Sequence, residues 1–320
     1  MALLKRIAIT LGDPAGIGPE IALKAILAKE ISEICRPVLV GDRTVLEEVI
    51  EKLGIPATLN DIDFIDIGAV TYRGFERGCP SAAGGRASVA YIKKAAELAL
   101  DRTVDAMVTA PISKEALKMA RFPWPGHTEM LAELTNTGDY AMMLAGGPLR
   151  VILVTIHTAL GNVPGMITRE RVAKTIVLAQ RACGMMGIRN PKIAVAGLNP
   201  HAGEAGLFGE EELREISPAV REAQAAGIPV SGPYPADALF HKAYKGEFDI
   251  IVCMYHDQGL IPLKMIAFDK GVNATIGLPI IRTSPDHGTA YDIAWKGIAE
   301  PSSMIEAIKT AVLLGGNGAL

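Results

Sequence analysis

Three histidines, half of the six in the chain, each stand just beyond an apolar run: His157 after LRVILVTI, His201 after PKIAVAGLNP and His256 after DIIVCMY. Neutral imidazole is a good ligand for a borderline divalent cation such as Zn²⁺, Co²⁺ or Ni²⁺, and three that converge leave a coordination position open for substrate. A single such histidine is more often a hydrogen-bonded polar cap on a strand. Equivalent placement behind three strands is what favours a metal rim, provided the strands run parallel. Asp257 beside His256 can orient an imidazole from behind, or else cap the next helix. GLNPHAGE and MYHDQG suit either close backbone approach to a ligand or a plain tight turn, and Gly259 is read as the point where the chain turns after His256.

A second set of residues suits anions. Lys264, Asn273 and Arg282 follow the His256 run in LKMIAFDKGVNATIGLPIIRTS, and a cation, an amide and a guanidinium fit a phosphate or carboxylate, although each alone reads as a solvated side chain. PGHTEML places His127 and Thr128 at a helix N-terminus, where backbone N–H groups favour an anion; Thr128 as a plain N-cap is the alternative. GDPAGIGPE is neither G-x-G-x-x-G nor a P-loop, and a tight strand-to-helix turn with Pro19 opening the helix accounts for it. DHGTAYDIAWKG, with His287, Gly288, Thr289, Ala290 and an Asp292 read as opening a helix, resembles the adenosine-binding loop of the isocitrate and isopropylmalate dehydrogenases.

These residues have to be positioned by something. RIAITLGD, RPVLVGD, VDAMVTAPISK, LRVILVTIH, PKIAVAGLNPH and DIIVCMYHD are short apolar runs, and between them lie helical patterns such as GPEIALKAILAKE, SVAYIKKAAELALD and RERVAKTIVLAQRACGMMG. Near-continuous apolar strands alternating with helices predict an α/β fold with a parallel sheet covered on both faces. Each run ends in a polar residue, Asp13, Asp42, Lys114, His157, His201 or His256. In open α/β folds ligands bind outside the carboxyl ends of strands.

Composition narrows the function classes. A hydrophobic fraction of 49% over 320 residues supplies a core, and 33 glycines with only 5% aromatics suit helix-on-sheet packing. The 32 basic residues are scattered and the net charge is −3, which argues against a nucleic-acid partner. No run has the length of a membrane span, and MALLKRIAIT lacks the features of a signal peptide. Cys35, Cys79, Cys183 and Cys253 form no CxxC pair, which argues against a zinc ribbon and a disulfide framework. The expectation is a soluble, reduced, cytoplasmic protein.

Taken in order, ITLGDPAGIGPE, PGHTE, GLNPHAGE, YPADALF, MYHDQGLIPLK and GVNATIGLPIIRTSPDHGTA make the whole chain resemble the 4-hydroxythreonine-4-phosphate dehydrogenases of vitamin B6 biosynthesis, the PdxA family. The resemblance implies an isocitrate/isopropylmalate dehydrogenase-like fold, with two α/β/α domains and a cleft between them. It implies a discontinuous cofactor-side domain, 1–130 plus 285–320, and a second domain, 131–284, with the metal ligands and the dimer interface. It implies a homodimer, NAD or NADP, and one divalent metal ion per site (Zn, Co or Mg) held by His157, His201 and His256, one of them from the partner subunit. His127, Thr128, Lys264, Asn273 and Arg282 would contact substrate, and His287 to Asp292 the cofactor. Asp237 of PADALF is a further polar group near the metal. The general base stays open among Lys114, Asp237, Asp257 and a metal-bound hydroxide.

The implied reaction is oxidation of 4-phosphooxy-L-threonine at C3, followed by decarboxylation to 3-amino-2-oxopropyl phosphate. A sister group acting on 4-phospho-D-threonate or 4-phospho-D-erythronate shares these motifs, and DYAMML and YDIAW look somewhat like it. A phosphotransacetylase-like acyltransferase is the alternative of another class; it needs neither the histidine trio nor the DHGTAYDIA loop. Replacing His201 by alanine should abolish activity and metal content together, checked by turnover and metal analysis of the purified variant; retained metal and turnover would refute the trio.

Overall fold

The computed structural model describes residues 4–70 and 75–316. In chain order the strands are β1 (Lys5–Thr10), β2 (Cys35–Gly41), β3 (Phe64–Asp66), β4 (Ala106–Thr109), β5 (Ala141–Gly146), β6 (Leu149–Leu153), β7 (Ile193–Ala196), β8 (Val230–Tyr234), β9 (Ile250–Cys253), β10 (Val272–Ile276) and β11 (Arg282–Pro285). The helices are α1 (Gly18–Leu27), α2 (Lys29–Ile34), α3 (Arg43–Leu53), α4 (Ala82–Leu100), α5 (Lys114–Met119), α6 (His127–Leu134), α7 (Val163–Met166), α8 (Arg169–Met185), α9 (Ser217–Ala225), α10 (Ala236–Tyr244), α11 (His256–Ala267) and α12 (Ser302–Leu314). No helix among the described residues is long and apolar enough to cross a membrane.

The chain divides into two compact units, one running to Thr137 and resuming over Leu278–Gly315, the other Gly138–Gly277. In the first, the strands lie in the order β3-β2-β1-β4-β11 and every pair is parallel. The strands are short and apolar because helices cover them: Ile7, Ala8 and Ile9 of β1 and Met107 and Val108 of β4 are fully buried. α4 begins where the Ser81 hydroxyl accepts from Gly84 N at 3.0 Å, an N-cap. Its Gly85 lets α5 approach closely, since a Cβ there would stand 2.2 Å from the Ala116 carbonyl oxygen. Asp42, at the end of β2, is buried and accepts from Ala69 N, Val70 N and the Tyr91 hydroxyl. That strand-end carboxylate is therefore spent on tying the β3 loop and α4 to the sheet.

The second unit has the order β10-β5-β6-β9-β7-β8. The expected parallel sheet is only partly found: β6, β9, β7 and β8 are parallel, but β5 runs antiparallel to both β6 and β10. The reason is the two-residue turn Gly147–Pro148, with Gly147 at φ 54°, which folds β5 straight back onto β6 as a hairpin. β6, β9 and β7 remain adjacent and parallel, so the segments leading to His157, His256 and His201 leave one edge of this sheet. Gly259 is not a turn but lies within α11, which starts at His256. The absence of a side chain there lets the helix sit on β6 and β9, where a Cβ would meet Leu153 and Cys253 at 3.1 and 3.2 Å.

Candidate active site

Two of the three strand-end histidines meet. Thr155 extends the pairing of β6 with β9, its backbone N–H and hydroxyl both donating to the Met254 carbonyl, at 3.2 and 2.7 Å. Two residues further along each segment, the rings of His157 and His256 stand 5.6 Å apart between centroids, tilted by 43°. Both line a cavity of about 470 Å³ together with Tyr255, Asp257, Leu160 and Val163. His256 Nδ1 lies 2.7 Å from Asp257 Oδ1. In the neutral ring Nδ1–H donates to this carboxylate and Nε2 keeps its lone pair, the arrangement common behind metal-bound histidines. Asp257 is thus engaged by its neighbour rather than acting as the cap of α11, whose N-cap is Tyr255.

His201 is held elsewhere. After β7 the chain enters a segment in which His201, Ala202, Gly203, Glu204 and Ala205 all have positive φ, 53°, 51°, 81°, 41° and 55°. Four of these are not glycine, and left-handed helical backbone costs an L-residue roughly 1–2 kcal/mol each. The His201 ring packs at 6.0 Å from that of Phe208. Among the described residues no group of three His, Cys, Asp or Glu side chains gathers that could hold a metal ion within one chain. The chain supplies a two-histidine half-site of the right donor chemistry for a borderline divalent cation, with the third imidazole exposed on a separate loop.

Residues not singled out from sequence set these positions. Gln258, buried in the first turn of α11, accepts from Met254 N and donates to the Gly197 carbonyl, both at 2.7 Å. It joins the His256 segment to the start of the His201 loop. A glutamine among apolar residues in DQGLIPL was the available signal.

The anion candidates of the first unit also meet. His127 is the first residue of α6, and Thr128, buried, follows it; Gly126 rather than Thr128 takes the N-cap position. Burial and the neighbouring Arg282 charge hold the His127 imidazole well below its usual range, although a ring hydrogen bond to the Ala110 backbone works the other way. Its Nε2 is shut from solvent and has no partner. Arg282, 3% exposed, donates from Nε and Nη2 to the Thr109 hydroxyl at 3.1 and 2.8 Å, and burial pulls its guanidinium down to about 9 while Glu129 supports the charge. The His127 ring, the buried Arg282 guanidinium and the N-terminus of α6 thus lie in one place, and the cation and the helix N-terminus are of a chemistry suited to an anionic group. In the second unit, Asn273 sits on β10 with its Oδ1 likewise buried and unpartnered. Lys264 lies in the last turn of α11, its ammonium 6.0 Å from the Phe268 ring centroid.

The 287–292 loop differs from expectation. Asp292 does not open a helix; the next helix begins at Ser302, and Ala290 and Trp295 both take positive φ, 41° and 61°. The loop is instead laced to the GDPAGIG turn: Ile17 N donates to the Thr289 carbonyl at 3.0 Å, the Tyr291 hydroxyl to Asp13 Oδ2 at 2.7 Å, and Trp295 Nε1 to the Pro14 carbonyl at 3.0 Å. Asp13 also accepts from Ala15 N, and burial pushes its carboxyl up. The glycine-rich turn is thus a seat for the later loop: at Gly16 a Cβ would stand 2.9 Å from the Thr289 carbonyl oxygen. Of the three base candidates, Lys114 and Asp237 are exposed in the first turns of α5 and α10, and Asp257 is exposed beside His256.

A family model described as "Pyridoxal phosphate biosynthetic protein PdxA" matches residues 33–311. The 4-hydroxythreonine-4-phosphate dehydrogenase of Geobacter metallireducens is 49% identical over 96% of this chain and 94% of its own. The D-threonate 4-phosphate dehydrogenase of Pectobacterium atrosepticum is 45% identical over 97% of this chain and 99% of its own. A crystal structure of 4-hydroxythreonine-4-phosphate dehydrogenase from Klebsiella pneumoniae superposes with a TM-score of 0.90, at 42% identity, over 98% of this chain and 99% of that one.

The neutral state of His127 has a measurable consequence. The unfolded chain binds a proton near pH 6.5 that the native ring refuses, so this group's contribution to stability is complete above that pH and is lost as pH falls below it. The stability difference between the wild type and His127→Gln should therefore shift against the wild type by about 1.4 kcal/mol per pH unit below pH 6.5, read from urea denaturation at several pH values. A difference independent of pH would show that the ring is protonated in the native state.

Proposed function

The chain belongs to the PdxA family, and on that premise we propose that it is an oxidoreductase with 4-hydroxythreonine-4-phosphate dehydrogenase activity. The reaction is NAD- or NADP-dependent oxidation of the C3 hydroxyl of 4-phosphooxy-L-threonine to 2-amino-3-oxo-4-phosphooxybutanoate. That β-keto acid then loses CO₂ to give 3-amino-2-oxopropyl phosphate. One observation carries the substrate assignment: of the three buried side-chain atoms without a partner among the described residues, two belong to His127 and Asn273. Folded proteins leave few buried polar atoms unpaired, so these two, one of them the acceptor Oδ1 of Asn273, point to hydrogen bonds completed by a ligand that carries a donor such as a hydroxyl or amine as well as its anionic groups.

In this reading Arg282 and Lys264 neutralise the substrate's phosphate and carboxylate, and His127, Thr128 and Asn273 fix its orientation. His157, His201 and His256 would hold a divalent cation (Zn²⁺, Co²⁺ or Mg²⁺), which would supply Lewis acidity, and the 287–292 loop would hold a nicotinamide cofactor, which would supply the hydride acceptor. Asp257 keeps the His256 ring oriented. Lys114 and Asp237 are the side chains suited to take the C3 hydroxyl proton.

We infer further that the functional species is a homodimer in which His201 of one copy joins His157 and His256 of the other. The support is chemical and topographic. α11, which begins at His256, exposes Ile261, Met265 and, just past its end, Phe268, at 58%, 84% and 75%; beyond His201, Leu207 is 73% exposed. An apolar face of this kind is suited to burial against another protein surface.

The purified, metal-supplemented protein should reduce NAD⁺ or NADP⁺ with 4-phosphooxy-L-threonine, with a higher kcat/KM than with 4-phospho-D-threonate. The two substrates differ at C2, amine against hydroxyl, and a site that pairs one rejects the other. A preference for the D-threonate compound would assign the chain to that activity, and no reduction with either would overturn the dehydrogenase reading. For the shared site, the inactive variants His201→Ala and His256→Ala, mixed and allowed to exchange subunits, should recover about a quarter of wild-type activity by random pairing, because half the dimers then hold one intact site of two. No recovery would place all three ligands in one copy.

A further inference from the structure

We propose that Glu212 is a positioning residue that locks the left-handed backbone of residues 201–205 and so sets where His201 is presented to a metal ion. The inference rests on the assignment of His201 as a ligand. Glu212 is 2% exposed and opens a π-helical turn, Glu212–Ile216. Its two carboxylate oxygens are turned onto the loop that precedes His201. Oε1 accepts from Asn199 N at 2.7 Å and Oε2 from Asn199 Nδ2 at 2.9 Å, and Glu211 Oε2 takes the same amide at 2.8 Å.

The loop is shaped around this carboxylate. A Cβ at Gly203 would stand 2.7 Å from Glu212 Oε2, and one at Gly197 3.1 Å from Oε1. Gly203 is the buried centre of the left-handed run, at φ 81°. Local hydrogen bonds close the turn, Ala202 N to the Asn199 carbonyl, Leu207 N to the Glu204 carbonyl and Phe208 N to the Gly203 carbonyl. None of these fixes handedness, and L-residues prefer the opposite hand. The bidentate grip on Asn199, two residues before His201, is the contact from outside the turn that anchors its entry. Strained backbone persists where the surroundings over-determine it, commonly at functional sites.

Glu212→Gln keeps an acceptor for Asn199 N but turns an NH₂ group against the Asn199 amide. Glu212→Ala removes both acceptors. The test is titration of the full-length, metal-stripped protein with Co²⁺, followed by the visible ligand-field absorption, with the folded state checked by circular dichroism. Co²⁺ affinity should fall about 10- to 100-fold in Glu212→Gln, the usual range for groups that orient metal ligands, with a shifted visible band and kcat reduced more than the KM for the nicotinamide. Asn199→Ala, which leaves the carboxylate and its bond from the residue 199 backbone in place and removes the two side-chain bonds to Glu212 and Glu211, should give the same band shift with a smaller loss of affinity, and it stands in if Glu212→Gln does not fold. Wild-type Co²⁺ affinity and spectrum in folded Glu212→Gln or Asn199→Ala, while His201→Ala loses the cation, would overturn the positioning role and leave the ligand assignment intact. Co²⁺ binding unchanged in His201→Ala would overturn both.

Discussion

The Gln258 side chain accepts from Met254 N and donates to the Gly197 carbonyl, each at 2.7 Å and all of it buried, and the geometry of the histidine edge hangs from that amide. Met254 is the last residue before the segment that delivers His256, and Gly197 the first after β7. Both are places where strand pairing has just ended and backbone groups would otherwise be orphaned at about 1–3 kcal/mol each. A single amide satisfies one donor and one acceptor together. It can do so because β9 and β7 are parallel neighbours, in register from Ile193↔Ile250 to Val195↔Val252. Thr155 does the same on the other side of β9, joining β6 to Met254. Three strand ends are thus coupled by two side chains before any imidazole is placed.

The pairing of His127 with Arg282 in the first unit follows a different logic, that of electrostatic frustration. Burial, and after it the neighbouring Arg282 charge, costs the His127 imidazole its hold on a proton, and burying the guanidinium weakens its own hold on one. Under the proposed anion binding, an anion between them would stabilise the guanidinium and favour a proton on the unpartnered Nε2, which would then donate to it. Thr109 holds the Arg282 fork meanwhile, through Nε and Nη2 onto one hydroxyl.

Much of this was legible in the sequence, for identifiable reasons. The β9 run IIVC is fully buried because a parallel strand under helices must be apolar on both faces, and apolar runs are what a reader can see. The β5 hairpin was missed because AMMLAG carries the same apolar signal whichever way it runs, and only the Gly147–Pro148 turn reveals the direction. PGHTEML reads as a helix N-terminus carrying His127, and α6 begins there, with Gly126 in the N-cap position. Asp292 misled because an acid before an apolar pattern reads as a helix start, whereas Ala290 and Trp295 adopt positive φ, a conformation whose cause lies in contacts with residues 13–17, far away in sequence. Glu212 was invisible for a related reason, and Gln258 showed only as a glutamine among apolar residues: a buried polar side chain is recognised by the partner it satisfies, and the partner is known only once the chain has folded.

The distance between His201 and the other two histidines then carries an energetic meaning. A chain that gathered all three ligands by itself would bind its metal as a monomer, and association would gain nothing from the ion. Here the third imidazole is held out on a strained loop next to exposed apolar side chains, Leu207 and Phe208, while His256 opens a helix that exposes Met265 and Ile261. Under the proposed sharing of ligands, every increment of metal affinity is an increment of dimer affinity, because an ion that binds only the assembled state stabilises it by mass action. The strain in residues 201–205 belongs in the same account: the loop must keep its handedness in the free chain, where no metal repays it, and the anchored carboxylate of Glu212 is what makes that possible without the partner present.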